Sequence, residues 1–179
     1  MNPVIRWLLL FFIILIPLVV NLSLYYFGNN HFDVPIYHKE NSSESLHCQN
    51  KIIFPYIVSS DSIIEIANRL TIIDVRFPDS KDNFINNQIR RLMDININLN
   101  IHTVSSSRLD LRWNTSTLGI SKLHNFSACK LLYDLNFSFL VLIDKLGRIR
   151  GYYRSDEENQ FDRIFAEIEI LDKFEIDEK

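Results

Sequence analysis

The sequence predicts an α/β fold, a central mixed β-sheet flanked by helices, behind an N-terminal transmembrane helix. A long apolar run opens the chain, two β-rich segments enclose a helical pattern in the middle, and a strand, turn, strand and amphipathic helix follow near the end. Of the 179 residues, 47% are hydrophobic and 23% are charged, as in folded proteins. The net charge of −3 provides no basic surface, so nucleic acid is not an expected partner.

The apolar run Trp7–Phe27 is long enough to cross a bilayer, at about 1.5 Å per helical residue. Arg6 precedes it and the next basic residue is Lys39, so the positive-inside rule places the following domain on the non-cytoplasmic, periplasmic side. A cleaved signal peptide is the alternative. The length of the run and the lack of a small-residue cleavage pattern favour an uncleaved single-pass anchor.

Composition divides the chain into four parts. Residues 1–28 are the predicted membrane anchor, 29–50 a polar tether that can lie along the domain, 51–174 the folded domain and 175–179 a solvated tail. The domain opens with a short extended run, Lys51–Val58, in which a proline favours an edge position.

The first half of the domain reads as strand, helix and strand. Arg69–Phe77 is rich in β-branched residues and is predicted to be a buried strand. From Asp82 the pattern is helical, and Asp79 or Ser80 is expected to cap that helix. Apolar and polar residues alternate over Ile95–Thr103, which predicts a half-buried strand. The apolar stripe of the helix comprises Phe84, Ile85, Ile89, Leu92 and Met93.

The C-terminal third has a clearer pattern. Phe137–Ile143 and Arg148–Tyr153 are predicted strands, joined by a turn in which Gly147 supplies a positive φ. Ser155 and Glu158 form a capping-box pattern that predicts the start of the last helix. Its apolar stripe comprises Phe161, Ile164, Phe165, Ile168 and Leu171.

A further helix is predicted within Leu118–Leu132. The element order is then β-α-β, a linker, and a β-hairpin followed by a helix. A right-handed β-α-β crossover completed by a hairpin gives a four- to five-stranded sheet. This order is the thioredoxin arrangement, so a thioredoxin-like fold is expected.

Residues 141–171, VLIDKLGRIRGYYRSDEENQFDRIFAEIEIL, resemble the C-terminal part of SCO/SenC-family proteins. The segment FGNNHFDVPIY after the anchor and NIHTVSS at 100–106 are also similar to that family. The resemblance implies a thioredoxin-like domain tethered outside the cytoplasm. It also implies a role in cytochrome c oxidase assembly through copper delivery, with respiratory-complex subunits or assembly factors as partners.

The family's copper site uses two cysteines in a C-x-x-x-C motif after the first long strand and a histidine before the hairpin. The matching positions in this sequence are Ser80, Phe84 and Asn136. These side chains cannot form a soft Cu(I) site, so we expect no metal and no cofactor although the family implies copper. The missing cysteine pair also removes a dithiol mechanism. The sequence thus indicates a non-catalytic assembly or binding factor.

Cys48 and Cys129 are the two cysteines of the chain. In an exported domain, a structural disulfide between them is the leading interpretation. Two separate thiols, or a redox-active pair, are the alternatives. Two other functions therefore stay open: a thiol-disulfide or peroxide-handling protein that uses Cys48 and Cys129, and a tethered interaction domain unrelated to respiration.

A replacement metal site is not favoured, because adjacent side chains rarely bind one ion and no H-x-x-x-H spacing occurs. The residues considered for it were His38, His47, Cys48, His102 and His124. Ser80 at a helix start is expected to be a cap rather than a nucleophile.

Overall fold

The structure is a computed structural model that describes residues 3–27, 34–39, 52–66, 69–94, 99–133 and 137–174. The chain divides into two compact units, Met1–Asp33 and Val34–Lys179, and each is described by itself.

The first unit contains one helix, α1 (Pro3–Phe27), which begins four residues before the predicted run. Its segment Pro3–Ser23 has the length and apolar composition of a membrane span. Pro17 lies inside the helix, a position that apolar spanning helices tolerate. An N-terminal signal sequence shares these properties, so the helix fits both interpretations given above.

A five-stranded mixed sheet forms the centre of the second unit. Its strands lie in the order β3-β2-β1-β4-β5. β1, β2 and β3 run parallel, whereas β4 is antiparallel to β1 and β5 is antiparallel to β4. The strands are β1 (Leu70–Arg76), β2 (Leu99–Ser105), β3 (Asn114–Thr117), β4 (Phe139–Ile143) and β5 (Ile149–Arg154).

Three helices cover the two faces of this sheet: α2 (Asp82–Asp94), α3 (Ile120–Lys130) and α4 (Glu158–Phe174). Side chains alternate between the faces of β1. Leu70 and Ile72 belong to a core that α2 and α4 cover, and Ile73 and Val75 to a second core that α3 covers. The β-α-β unit, the hairpin and the final helix make the domain thioredoxin-like, which confirms the predicted fold class.

Two strands differ from the prediction. β2 does not alternate: residues 101–105 are all buried, because β2 lies between β1 and β3 and its faces are covered. β3 was not predicted, since its four residues are polar and three of them are exposed at the sheet edge. Part of the predicted strand, residues 95–98, lies outside the described residues.

Both predicted helix caps are wrong. In α2, the Ile85 N–H donates to the Lys81 carbonyl, so Lys81 occupies the N-cap position in place of Asp79 or Ser80. Asp79 and Ser80 instead belong to the preceding turn, in which the Ser80 N–H donates to the Phe77 carbonyl. α4 begins at Glu158 rather than Ser155, because residues 155–156 form a turn.

The helical stripes are otherwise confirmed, with one exception. Ile85, Ile89 and Leu92 are buried in α2, whereas Met93 is 46% exposed. Gln88 takes a buried position on the same face. In α4, the buried residues are Phe161, Ile164, Ile168 and Leu171.

Two segments without regular secondary structure, 34–39 and 52–58, pack beside the β4–β5 hairpin. The Tyr37 N–H donates to the Ile149 carbonyl at 2.9 Å, and the Val58 N–H donates to the Gly147 carbonyl at 2.8 Å. The Tyr56 N–H joins the segments through the His38 carbonyl at 3.0 Å. The described part of the predicted tether, residues 34–39, therefore lies along the domain. The extended run 52–58 contributes single hydrogen bonds and no regular strand.

We predict that Gly147→Ala destabilises the domain. Gly147 has φ +81°, and an added Cβ would lie 2.7 Å from Ile57 Cγ2 and 2.9 Å from the Val58 carbonyl oxygen. The free energy of unfolding should fall by about 1–3 kcal/mol, measured by chemical denaturation of the full chain in detergent. Gly119→Ala is the matched control, because φ is −61° and no atom lies within 4 Å of an added Cβ. An equal loss in both variants would contradict the prediction.

Candidate functional site

A cleft of about 240 Å³ opens at the carboxyl end of β1. Four segments meet there: the end of β1, the turn before α2, the approach to β4 and the turn after β5. The lining residues are Phe77, Asp79, Ser80, Lys81, Ile85, Phe137, Ser138, Ser155 and Asp156. The structure thus brings Ser80 next to Phe137 and Ser138, in the segment that precedes and enters β4.

The three positions that match copper ligands have separate locations. Ser80 lines the cleft, and its hydroxyl donates to Asp82 Oδ1 at 2.6 Å. Phe84 instead packs into the core, where its ring meets Phe161 edge to face at 5.8 Å between centroids. Asn136 lies outside the described residues. Ser80 therefore supplies a hydroxyl that already donates to Asp82, and Phe84 supplies an aromatic ring. Neither group is a soft ligand.

Ser138 ties the walls of the cleft together. Its hydroxyl accepts a hydrogen bond from the Phe77 N–H at 3.0 Å, and its carbonyl accepts one from the Ser155 N–H at 3.3 Å. The Ser155 hydroxyl is buried and has no hydrogen-bond partner among the residues that the structure describes.

A buried ion pair lies at the same end of β1. Asp74 and Arg76 have no exposed side-chain surface, and Arg76 Nε donates to Asp74 Oδ2 at 2.7 Å. Arg76 Nη1 reaches Asp82 Oδ1 at 3.2 Å, at the first residue of α2. Since Asp82 also accepts from Ser80, the pair connects the centre of the sheet to the rim of the cleft.

Hydrogen bonds extend from this ion pair across the sheet to β2. Thr103 Oγ1 donates to Asp74 Oδ2 at 2.8 Å, and Trp113 Nε1 donates to Thr103 Oγ1 at 2.8 Å. Burial raises the pKa of the Asp74 carboxyl, and the Arg76 charge and the Thr103 hydrogen bond oppose that rise. Asp74 Oδ1 and Arg76 Nη2 have no hydrogen-bond partner within the described part of the chain, so the network there is incompletely satisfied.

Sequence reasoning missed this network, although a signal was present. Asp74 and Arg76 are two residues apart in an otherwise apolar strand, so they must lie on one face of the sheet. Opposite charges at that spacing inside a buried strand indicate a buried pair.

The histidines considered as metal ligands lie in separate environments. His102 Nε2 is hydrogen-bonded to Ser116 Oγ at 3.0 Å, and His124 packs on the Phe77 ring at 4.8 Å between centroids. His38 Nε2 lies 2.9 Å from the Tyr152 hydroxyl. Among the residues that the structure describes, no group of three His, Cys, Asp or Glu side chains could hold a metal ion. His47 and Cys48 lie outside the described residues.

Two tyrosines hold the end of α3, where Cys129 is located. The Tyr56 hydroxyl donates to the Lys130 carbonyl at 2.8 Å, and the Tyr152 hydroxyl donates to the Leu131 carbonyl at 2.6 Å. Because the Tyr152 proton is used in this way, His38 Nε2 must be the donor to the Tyr152 oxygen. Burial also lowers the pKa of His38, which favours the neutral imidazole ring.

Cys129 is disulfide-bonded in the structure. Cys48 lies outside the described residues, so the Cys48–Cys129 pairing stays a prediction.

The strand order and the cleft define a thioredoxin-like domain with no cysteine among the described residues that line the cleft. No protein-family model matches the chain, and no curated protein matches it.

Solved structures match the chain at low identity. A Sco-family cytochrome c oxidase assembly protein, in which a disulfide switch was identified, is 13% identical with a TM-score of 0.48, over 61% of this chain and 83% of that one. A SCO1/SenC family lipoprotein from Bacillus anthracis is 13% identical with a TM-score of 0.47, over 59% and 83%. A thiol-disulfide oxidoreductase from Bacteroides fragilis is 16% identical with a TM-score of 0.43, over 57% and 82%.

We predict that Arg76→Met destabilises the domain by about 3–5 kcal/mol at neutral pH, because it leaves the Asp74 carboxylate buried without a counter-charge. The folded-state pKa of Asp74 is already raised, and losing Arg76 raises it further. Protonation at acidic pH removes the buried charge, so the loss of stability should shrink as the pH falls.

Denaturation of the full chain at several pH values measures this loss. Lys173→Met is the control, since Lys173 and Glu169 form an exposed pair on α4 and its loss should change stability by less than about 1 kcal/mol. Adding Asp74→Asn to Arg76→Met should recover part of the stability. A loss that does not depend on pH, or no recovery in the double variant, would contradict the interpretation.

Proposed function

We propose that this chain is a membrane-anchored thioredoxin-fold factor of SCO/SenC type that binds or assembles other proteins without catalysis and without a copper site. The observation that carries the proposal is the composition of the cleft. Hydroxyl, apolar and charged side chains, with no cysteine among the described ones, line the wall at the end of β1, where the family resemblance calls for thiolates.

The chemistry of the cleft argues against metal or thiol function. A Cu(I) site needs thiolate, thioether or imidazole ligands. The Ser80 hydroxyl donates to Asp82, and the Phe84 ring is part of the core under the cleft. Neither side chain can bind a soft cation or attack a disulfide.

The same cleft offers groups that suit a peptide segment. Lys81 is exposed at its rim, and the half-buried Phe137 supplies apolar surface. A partner's carbonyl or carboxylate oxygen can pair with the Lys81 ammonium while an apolar side chain of the partner covers the Phe137 ring. Asp79 and Asp156 also line the cleft and can accept hydrogen bonds from the N–H groups of a peptide.

The proposal includes a location. We propose that α1 is retained as a single-pass anchor and that the domain lies in the periplasm, and Arg6 near the N-terminal end of α1 supports this through the positive-inside rule. Its partners are then respiratory-complex subunits or their assembly factors. Co-purification of oxidase subunits with the full chain separates this proposal from an interaction domain unrelated to respiration.

We predict that the full chain in detergent does not hold Cu(I) stoichiometrically in competition with a chromophoric chelator. A peptide with two cysteines and a histidine, which are soft ligands for Cu(I), serves as the positive control for the chelator competition. Ser80→Ala is the matched negative control, because it removes only the hydroxyl. Tight one-to-one binding of Cu(I) by the unaltered chain would contradict the proposal.

A second candidate, a thiol-disulfide or peroxide-handling protein, has one observation in its favour: Cys129 is disulfide-bonded. We regard this disulfide as structural. Cys129 lies at the end of α3. The carbonyls of the two residues that follow it accept hydrogen bonds from the Tyr56 and Tyr152 hydroxyls. A rigid, hydrogen-bonded site suits a permanent cross-link better than a cysteine that must exchange partners.

We predict that the unreduced, denatured chain has no free thiol and that reduction releases two. Cys48→Ser and Cys129→Ser, singly and together, should each lower the free energy of unfolding by about 4 kcal/mol, because the bond closes a long loop. Equal losses in all three variants indicate one shared bond. Peroxide turnover or disulfide exchange that depends on either cysteine would favour the enzyme.

A further inference from the structure

β3 is an end strand of the sheet, and its outer side has no neighbouring strand among the described residues. The Leu118 N–H, just after β3, donates to the Ser105 carbonyl of β2 at 2.9 Å. Backbone groups of successive strand residues point to opposite sides, so those of Ser116 face β2 as that of Leu118 does. The N–H and C=O groups of Thr115 and Thr117 therefore point away from β2, where they can pair with one more strand.

A polar groove of about 530 Å³ lies beside this strand. Its walls come from β3 and from the β2–β3 connection, and the Thr115 and Thr117 side chains in it are exposed. The lining residues are Arg108, Leu109, Asp110, Leu111, Thr115 and Thr117. We call the outer side of β3 together with this groove the β3 edge.

The sequence of β3 does little to prevent pairing with a further strand. Natural proteins protect open edges with lysine, proline, bulges or very short strands. β3 has only four residues, but none of them is charged or a proline, and its register with β2 has no bulge. Threonines that face each other across two strands form favourable pairs. The β3 edge is therefore suited to pairing with a strand that carries similar residues.

The charges of the groove indicate which strand that is. Arg108 and Asp110 are exposed, and neither forms an ion pair or a hydrogen bond with a described residue. Arg112, the other charged residue of the connection, does not line the groove. A strongly acidic or basic partner would leave one of the two groove charges beside a like charge. A second copy related by a two-fold axis instead offers each of them the opposite sign.

We propose that two copies of this chain associate through the β3 edge, with their β3 strands antiparallel about a two-fold axis at Ser116. In this register Thr115 of one copy lies opposite Thr117 of the other, and each such pair exchanges two backbone hydrogen bonds. Arg108 of each copy pairs with Asp110 of the other. The two five-stranded sheets then form one continuous sheet. The cleft shares no lining residue with the groove, so this association does not depend on the proposed function.

Disulfide cross-linking between two differently substituted full chains tests the register. One chain carries Thr115→Cys and the other, with a tag of different size, carries Thr117→Cys. Both are reconstituted together in lipid vesicles, which hold the copies at a high local concentration, and diamide oxidises the thiols. In the proposed register the two Cα atoms lie about 5.5 Å apart, within the range that a disulfide spans.

Vesicles that contain only one of the two variants are the matched controls, because like positions lie on a diagonal about 7–8 Å long. We expect the mixture to give at least about threefold more cross-linked dimer than either variant alone, since Cα atoms more than about 7 Å apart are poorly bridged. Both positions are exposed, so the denaturation midpoints should match that of the unaltered chain. No cross-linking in the mixture, or equal cross-linking in all three samples, would overturn the proposal.

An exchange of charges is the second test. Adding Arg108→Glu to both chains of the mixture places a carboxylate opposite Asp110 of the other copy, so cross-linking should fall at least about twofold. Asp110→Arg together with Arg108→Glu exchanges the signs and should restore it. Arg112→Glu is the control and should leave cross-linking unchanged, since Arg112 does not line the groove. An equal effect of Arg108→Glu and Arg112→Glu, or no recovery in the double exchange, would contradict the proposed pairing of the two copies.

Discussion

The ion pair between Asp74 and Arg76 sets the geometry of the cleft. β1 is the central strand, and both of its faces are buried along its whole length. Two charges in such a strand must find partners inside the protein. Arg76 therefore bonds to Asp74 and also to Asp82 at the start of α2. Strand and helix are joined at the point where they form the cleft.

Two polar atoms of this network, Asp74 Oδ1 and Arg76 Nη2, lack hydrogen-bond partners among the described residues, so the pair is not an optimal source of stability. An apolar pair of similar volume would fill the space without that penalty. The charged pair makes a directional contact that an apolar one cannot: Arg76 donates to Asp82, which also accepts from Ser80. The pair therefore fixes the start of α2 relative to β1.

The sequence predicted the elements in which periodicity and burial agree. The apolar stripe of α4 and the buried run of β1 follow directly from residue type, and Gly147 marks the hairpin turn. β3 was missed because an edge strand of polar residues has no hydrophobic period to detect. The caps were wrong because residues 79–80 and 155–156 belong to turns that line the cleft, and those turns are set by tertiary contacts.

For the candidate site, the sequence provided three matching positions without their surroundings. In the structure Ser80 lines the cleft, whereas Phe84 packs against the core and Asn136 lies outside the described residues. Ser138 and Ser155 are ordinary polar residues in the sequence. Their role appears only when β4 and β5 bring them beside Phe77, through hydrogen bonds between residues far apart in the chain. Residue type alone gives no measure of such long-range pairing.

The topology of the sheet places the cleft and the hairpin turn at opposite ends of the strands. Parallel strands place the cleft at the carboxyl end of β1, and the antiparallel hairpin returns its turn to the amino end. The segment that enters the domain packs beside that turn, through a hydrogen bond from the Tyr37 N–H to the Ile149 carbonyl. This entering segment and the cleft therefore lie at opposite ends of the sheet. Their separation follows from strand direction alone, so it would persist whatever side chains line the cleft.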